Sequence, residues 1–167
     1  RIQKYIEKRG VKFYLSNTVA EVGKDSVVLK NGEKLPCDIL IMAVGVKPNT
    51  EAALTAGIKV NRGIVVNEYM ETSVKNIYAA GDCVESLDIL SNQNKVLALW
   101  PNAYMQGETA GSNMSGVENK FAGSFAMNAI GFFRIQLISA GIVDPKDEKV
   151  SIYIEENEIV SFSCRKV

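Results

Sequence analysis

The chain has 167 residues, with Lys plus Arg and Asp plus Glu both at 19 and no His, so its formal net charge is zero. At 47% hydrophobic residues it can bury a core and is not disordered, and it lacks the basic excess of a general nucleic-acid binder. No apolar run is long enough to cross a bilayer, and three widely spaced cysteines without a CxxC leave no zinc or dithiol motif and fit a reducing cytoplasm.

In chain order, Ile2, Tyr5 and Ile6 fall at helical spacing over residues 2–9, and Gly10 stands where a C-terminal cap belongs. Val11–Leu15 reads as a short strand. Thr18–Val22 and Ser26–Lys30 read as strands joined by a Gly23-Lys24-Asp25 turn, and Asn31-Gly32 is the strongest hairpin signal. Residues 33–36 lead through Cys37-Asp38 into Ile39–Ala43, an apolar run of the kind found in buried parallel strands. Helix, meander and apolar strand together indicate an α/β nucleotide-type domain. The segment Ala43-Val44-Gly45-Val46-Lys47-Pro48-Asn49 breaks both helix and sheet.

Further on, Glu51–Ala56 reads as a short helix stopped by Gly57, and Ile64–Val66 as a strand. Asn76–Ala80 reads as another strand, ending at Gly81-Asp82. Pro101–Asn113 is a helix opened by proline and ended near Gly116. Residues 120–167 crowd Phe121, Phe125, Met127, Ile130, Phe132 and Phe133 together. Two strands follow, Val150–Glu155 and Ile159–Ser163, joined at Glu156-Asn157; a two-stranded ribbon is marginal by itself. The start at Arg1, without Met, reads as the middle of a longer protein, and a processed terminus would look the same.

The segment with chemical content is Thr72–Asp82. A strand feeds a turn of small residues, Ala79-Ala80-Gly81, and a carboxylate emerges at the strand's carboxyl end, the edge at which open α/β sheets bind ligands. Small residues permit close approach of a cofactor or a second backbone. A carboxylate there accepts hydrogen bonds from hydroxyl groups. Spacing alone leaves a plain Asp-containing turn as the simpler reading. Cys83 reads as a small buried residue, because no second cysteine or histidine stands near it. Trp100 reads as core or cleft lining.

Three motifs together resemble the pyridine nucleotide–disulfide oxidoreductase superfamily. Asn76–Asp82 resembles its second flavin motif, Ala43–Asn49 its crossover from NAD(P)H domain to FAD domain, and Pro101–Gly107 the helix that follows the flavin motif. Lys47 stands where arginine is frequent in the family. Residues 127–141 are similar to the rubredoxin-reductase and nitrite-reductase branch. The resemblance implies an α/β fold, a partial pair of Rossmann-like FAD- and NAD(P)-binding domains with the start of an α+β dimerisation domain. The divisions would be 1–43 for the NAD(P)H domain, 44–119 for the FAD domain and 120–167 for the dimerisation domain. It also implies FAD and NAD(P)H as cofactors, an unidentified electron acceptor and a homodimer, with no nucleic-acid or membrane partner. Asp82, after Gly81, would hydrogen-bond the FAD ribitol. The helix starting at Pro101, Asn102 and Ala103 would face the flavin pyrimidine edge, and Gly45 would lie at the domain junction. Neither of the family's Gly-x-Gly-x-x-Gly turns, which hold pyrophosphates at helix N-termini, occurs in the chain. A non-catalytic interaction or assembly module descended from such an enzyme is the alternative.

Overall fold

A computed structural model of the chain describes residues 2–141, 150–156 and 160–166. Its contacts divide the chain into two units, Arg1–Val46 and Lys47–Val167. Among the described residues, no helix is long and apolar enough to cross a membrane.

The first unit holds α1 (Ile2–Glu7) and a three-stranded antiparallel meander of β1 (Val19–Val22), β2 (Ser26–Leu29) and β3 (Lys34–Pro36), in that spatial order. Gly10, at φ 87°, follows α1 as a left-handed stop. The Asn31-Gly32 turn closes with the Gly32 amide donating to the Leu29 carbonyl at 2.9 Å. Val27 and Leu29 alternate toward the buried side of β2, the period expected of a half-buried strand. Two expectations fail here. Val11–Leu15 forms no strand. Ile39–Ala43 is neither a strand nor buried, and Ile39 is 82% exposed. A strand needs a neighbour to pair its N–H and C=O groups. The pairings of the meander, β1 with β2 and β2 with β3, include neither run.

The second unit opens with α2 (Glu51–Thr55), closed by Gly57 at φ 71°. Three short strands follow: β4 (Ile64–Val65), β5 (Val84–Asp88) and β6 (Gln93–Lys95). β4 and β5 are parallel, with Ile64 opposite Val84, and β6 returns antiparallel to β5. Helix α3 (Trp100–Met114) carries Pro near its start, and Gly116, at φ 87°, lies just beyond its end. The core joins Ala53, Ile58, Ile64, Val66, Met70, Val84, Ala110 and Phe121. A hairpin of β7 (Met127–Phe132) and β8 (Ile135–Ala140) and a ribbon of β9 (Val150–Glu156) and β10 (Val160–Lys166) complete it. Residues 157–159, which include the expected join at Asn157 and the expected strand start at Ile159, lie outside the described residues.

Buried carboxylates organise both ends of β5. Near its start, Glu85 accepts hydrogen bonds from the amides of Arg62 (2.6 Å) and Gly63 (2.9 Å), which fixes the turn before β4. At its end, Asp88 accepts from the Leu90 amide (3.1 Å), the Ser91 hydroxyl (2.6 Å) and the Lys95 ammonium (2.9 Å). Burial works against the Asp88 charge, but these hydrogen bonds and the Lys95 charge outweigh it and hold the carboxyl below the usual aspartate range. A depressed folded pKa means stability that is present above the unfolded value and lost as pH falls through the folded one. Below about pH 4, Asp88→Asn should therefore flatten the fall of melting temperature with acid. An unchanged acid limb in the variant would show that Asp88 does not drive it.

Candidate functional site

The expected strand Asn76–Ala80 is replaced by a tighter arrangement. Asn76 takes a left-handed φ of 64°, which ends the extended run before it starts. The Ile77 amide bonds back to the Val74 carbonyl at 3.2 Å, and Tyr78 pairs only as an isolated bridge with Glu71. Ala79, Ala80 and Gly81 then run on into a turn, Gly81-Asp82-Cys83, whose Val84 amide donates to the Gly81 carbonyl at 3.1 Å. Asp82 thus sits at the amino end of β5 and not at the carboxyl end of a strand. β5 itself, the five residues Val84–Asp88, is absent from the expected elements.

Gly81 holds φ at 93°, a conformation natural to glycine. A side chain there would point at α3, since an added Cβ would lie 3.9 Å from the Ala103 Cβ. Gly81 therefore lies against helix α3. That places Gly81, Asp82, Asn102 and Ala103 in one neighbourhood. Asn102 is buried, and its amide donates to the Leu97 carbonyl at 3.3 Å, closing the loop that enters the helix. Its side chain is committed to the fold. Pro101 is exposed and brings no N–H. The first turn of α3 has no side-chain cap, so its amides keep the partial positive charge of a helix start. Trp100 is 81% exposed and tilted against Tyr104 with ring centroids 6.2 Å apart, so of the two places expected for it, core or cleft lining, it is not in the core.

One residue essential to this geometry escaped the sequence reading. Gln106, 2% exposed, accepts from the Gly81 amide at 2.8 Å through its Oε1 and donates through Nε2 to the Ser86 hydroxyl at 2.9 Å. Cys83 is half-buried against the core, with its thiol 3.6 Å from the Ala80 carbonyl. Gly45, at φ 106°, belongs to the first unit and has open space around its α-carbon. Two shallow depressions, one along Asn49–Ala56 and one at the β1–β2 turn and β3, include none of these residues.

The donor set suits one part of a flavin nucleotide. Asp82 is an exposed acceptor suited to hydroxyls, and the uncapped start of α3 is suited to a polar, charge-accepting ring edge. It offers no pyrophosphate cradle, since no Gly-x-Gly-x-x-Gly turn is present.

The α/β chain thus sets an acidic turn against an uncapped helix start. The family model for pyridine nucleotide-disulphide oxidoreductases matches residues 1–107, and the chain belongs to that family. It is 45% identical over 124 residues to an NADH oxidase of Methanocaldococcus jannaschii, covering 72% of this chain and 28% of that protein. It is 36% identical over 162 residues to the assimilatory nitrate reductase electron transfer subunit of Bacillus subtilis, covering 94% of this chain and 20% of the relative. The crystal structure of an FAD-dependent pyridine nucleotide-disulphide oxidoreductase from Desulfovibrio vulgaris superposes with a TM-score of 0.89 at 25% identity, over 99% of this chain and 44% of that one. The chain spans between a fifth and a third of the length of these two curated relatives.

Proposed function

We propose that this chain is the carboxyl-side part of an FAD-dependent NAD(P)H oxidoreductase. In this reading residues 1–43 close the NAD(P)H domain, 44–119 close the FAD domain, and 120–167 begin a dimerisation domain. The observation that carries it is the exposed Asp82 carboxylate beside a glycine turn that packs on the uncapped start of α3. Asp82 would accept hydrogen bonds from the ribityl hydroxyls. The helix start at Pro101, Asn102 and Ala103 would lie at the pyrimidine edge of the ring, its amides favouring negative charge there. Gly45 would serve the domain junction, where a left-handed φ lets the chain turn. FAD, when bound, supplies the acceptance of a hydride from NAD(P)H and the onward delivery of electrons. The acceptor in this reading is a disulfide, a small redox protein, oxygen or an electron chain to nitrite. Exposed Met127, Ile130 and Ile138 on the β7–β8 hairpin support a homodimer through this end of the chain, and widely spaced free thiols support a cytoplasmic setting.

The absent pyrophosphate turn favours one rival, a non-catalytic assembly module. Colour separates the two. The complete polypeptide that carries this chain should purify with stoichiometric FAD bleached by NADH or NADPH, and a colourless protein that takes up no FAD would support the module. Residues 1–167 alone should bind FAD only weakly, because one hydrogen bond contributes roughly 0.5–1.5 kcal/mol and a dinucleotide needs many. Submicromolar affinity by calorimetry would overturn that expectation.

A further inference from the structure

We infer that Gln106 is a positioning residue that locks the Asp82 turn to helix α3, so that the two sides of the flavin contact keep a fixed spacing. The inference rests on the flavin reading above.

A buried side-chain amide is unfavourable unless its donor and acceptor are both used. Gln106 uses both, and on partners far away in sequence, 25 and 20 residues off. The Ser86 end is rigid: Ser86 is buried within β5, between Glu85 and Asp88, whose carboxylates hold the flanking turns. The Gly81 end is not rigid by itself. Glycine at φ 93° can reach many other conformations, and only Ala103 stands near its α-carbon. The Gln106 Oε1 selects one of them. Because the peptide group is planar, fixing the Gly81 N–H also fixes the Ala80 carbonyl and the Gly81 α-carbon, while the Val84 amide, donating to the Gly81 carbonyl at 3.1 Å, holds the peptide that enters Asp82. The Gly81 amide is therefore unavailable to a ligand; its role is to be held. Gln106 lies one turn beyond Asn102 on the same buried face, so the same side chain ties the turn to the helix start. A ligand bridging Asp82 and the α3 amides meets a preset distance and does not have to order it on binding.

The test uses Gln106→Met, which keeps volume and removes both hydrogen bonds, in the complete polypeptide. FAD should leave about three- to tenfold faster, the flavin midpoint potential should become more negative as the helix start drifts from the ring edge, and the Gly81 amide of the flavin-free protein should exchange faster. Gln106→Glu, which still accepts from Gly81 and can accept from the Ser86 hydroxyl, should restore slow exchange and slow release in part. If Gln106→Met does not fold, Ser86→Ala is read instead, with a smaller change in the same direction. Equal loss of melting temperature with and without FAD, at unchanged off-rate and potential, would reduce Gln106 to a structural residue and overturn the inference alone. A wild-type protein that binds no FAD would overturn the flavin reading and this inference with it.

Discussion

On the flavin reading proposed above, Asp82→Ala should release FAD from the complete polypeptide while leaving the fold intact. The carboxylate is exposed, and within the chain its turn is already closed by the Gly81–Val84 and Gly81–Gln106 hydrogen bonds. Removing the side chain therefore leaves no buried partner unpaired. If the carboxylate accepts from ribityl hydroxyls, affinity should fall roughly 10- to 160-fold, the range for a hydrogen bond to a charged group. Asp82→Asn should lie between, since its carbonyl still accepts. The measurement is FAD off-rate together with the melting temperature of the flavin-free protein. Equal off-rates in wild type and Asp82→Ala would remove the residue from the site. A fall in the flavin-free melting temperature would mark Asp82 as a turn-forming residue instead.

Met70→Ala should be the most destabilising truncation in the second unit, by roughly 2–5 kcal/mol, the usual range for emptying a fully buried methionine site. Met70 is 1% exposed at the centre of the core that joins α2, β4, β5, α3 and Phe121. It is also held at φ 62°, which glycine tolerates and other residues do not favour. Its backbone is fixed by the bond from its amide to the Asn67 carbonyl (3.0 Å) and by the Ala79 amide donating to its own carbonyl (3.0 Å). The side chain is thus retained there against a backbone cost. Met70→Gly removes that cost as well as the side chain, so it should be no worse than Met70→Ala even though it deletes more. Chemical denaturation of both variants checks the pair. A Met70→Gly variant clearly less stable than Met70→Ala would mean that packing alone, without backbone strain, governs the position.

What was legible in the amino-acid order was whatever short-range physics decides. Asn31-Gly32 closes its hairpin because both residues tolerate the left-handed turn region. Helix α3 carries Pro101 in its first turn and stops before Gly116 because those residues favour opposite ends of a helix. The Ala-Ala-Gly-Asp turn and the crossover motif were enough to indicate the family that the comparisons show.

What was not legible depends on partners distant in sequence. Ile39–Ala43 is apolar enough for a buried strand, yet a strand forms only where a neighbour offers its ladder. β5 was missed because its partner is β4, reached across the whole 66–83 excursion. The β7–β8 hairpin was missed because Phe133 and Arg134 occupy its left-handed turn positions, φ 47° and 65°, in place of the usual asparagine and glycine. The buried face of α3, Asn102, Gln106, Thr109 and Ala110, is mostly polar, so hydrophobic periodicity could not reveal it. By itself the sequence determined the family, the acidic turn and the helix beside it. Only the tertiary structure decided that Asp82 leads into β5 and that Gln106 joins turn to helix, because a hydrogen bond across 25 residues leaves no periodic trace in the chain.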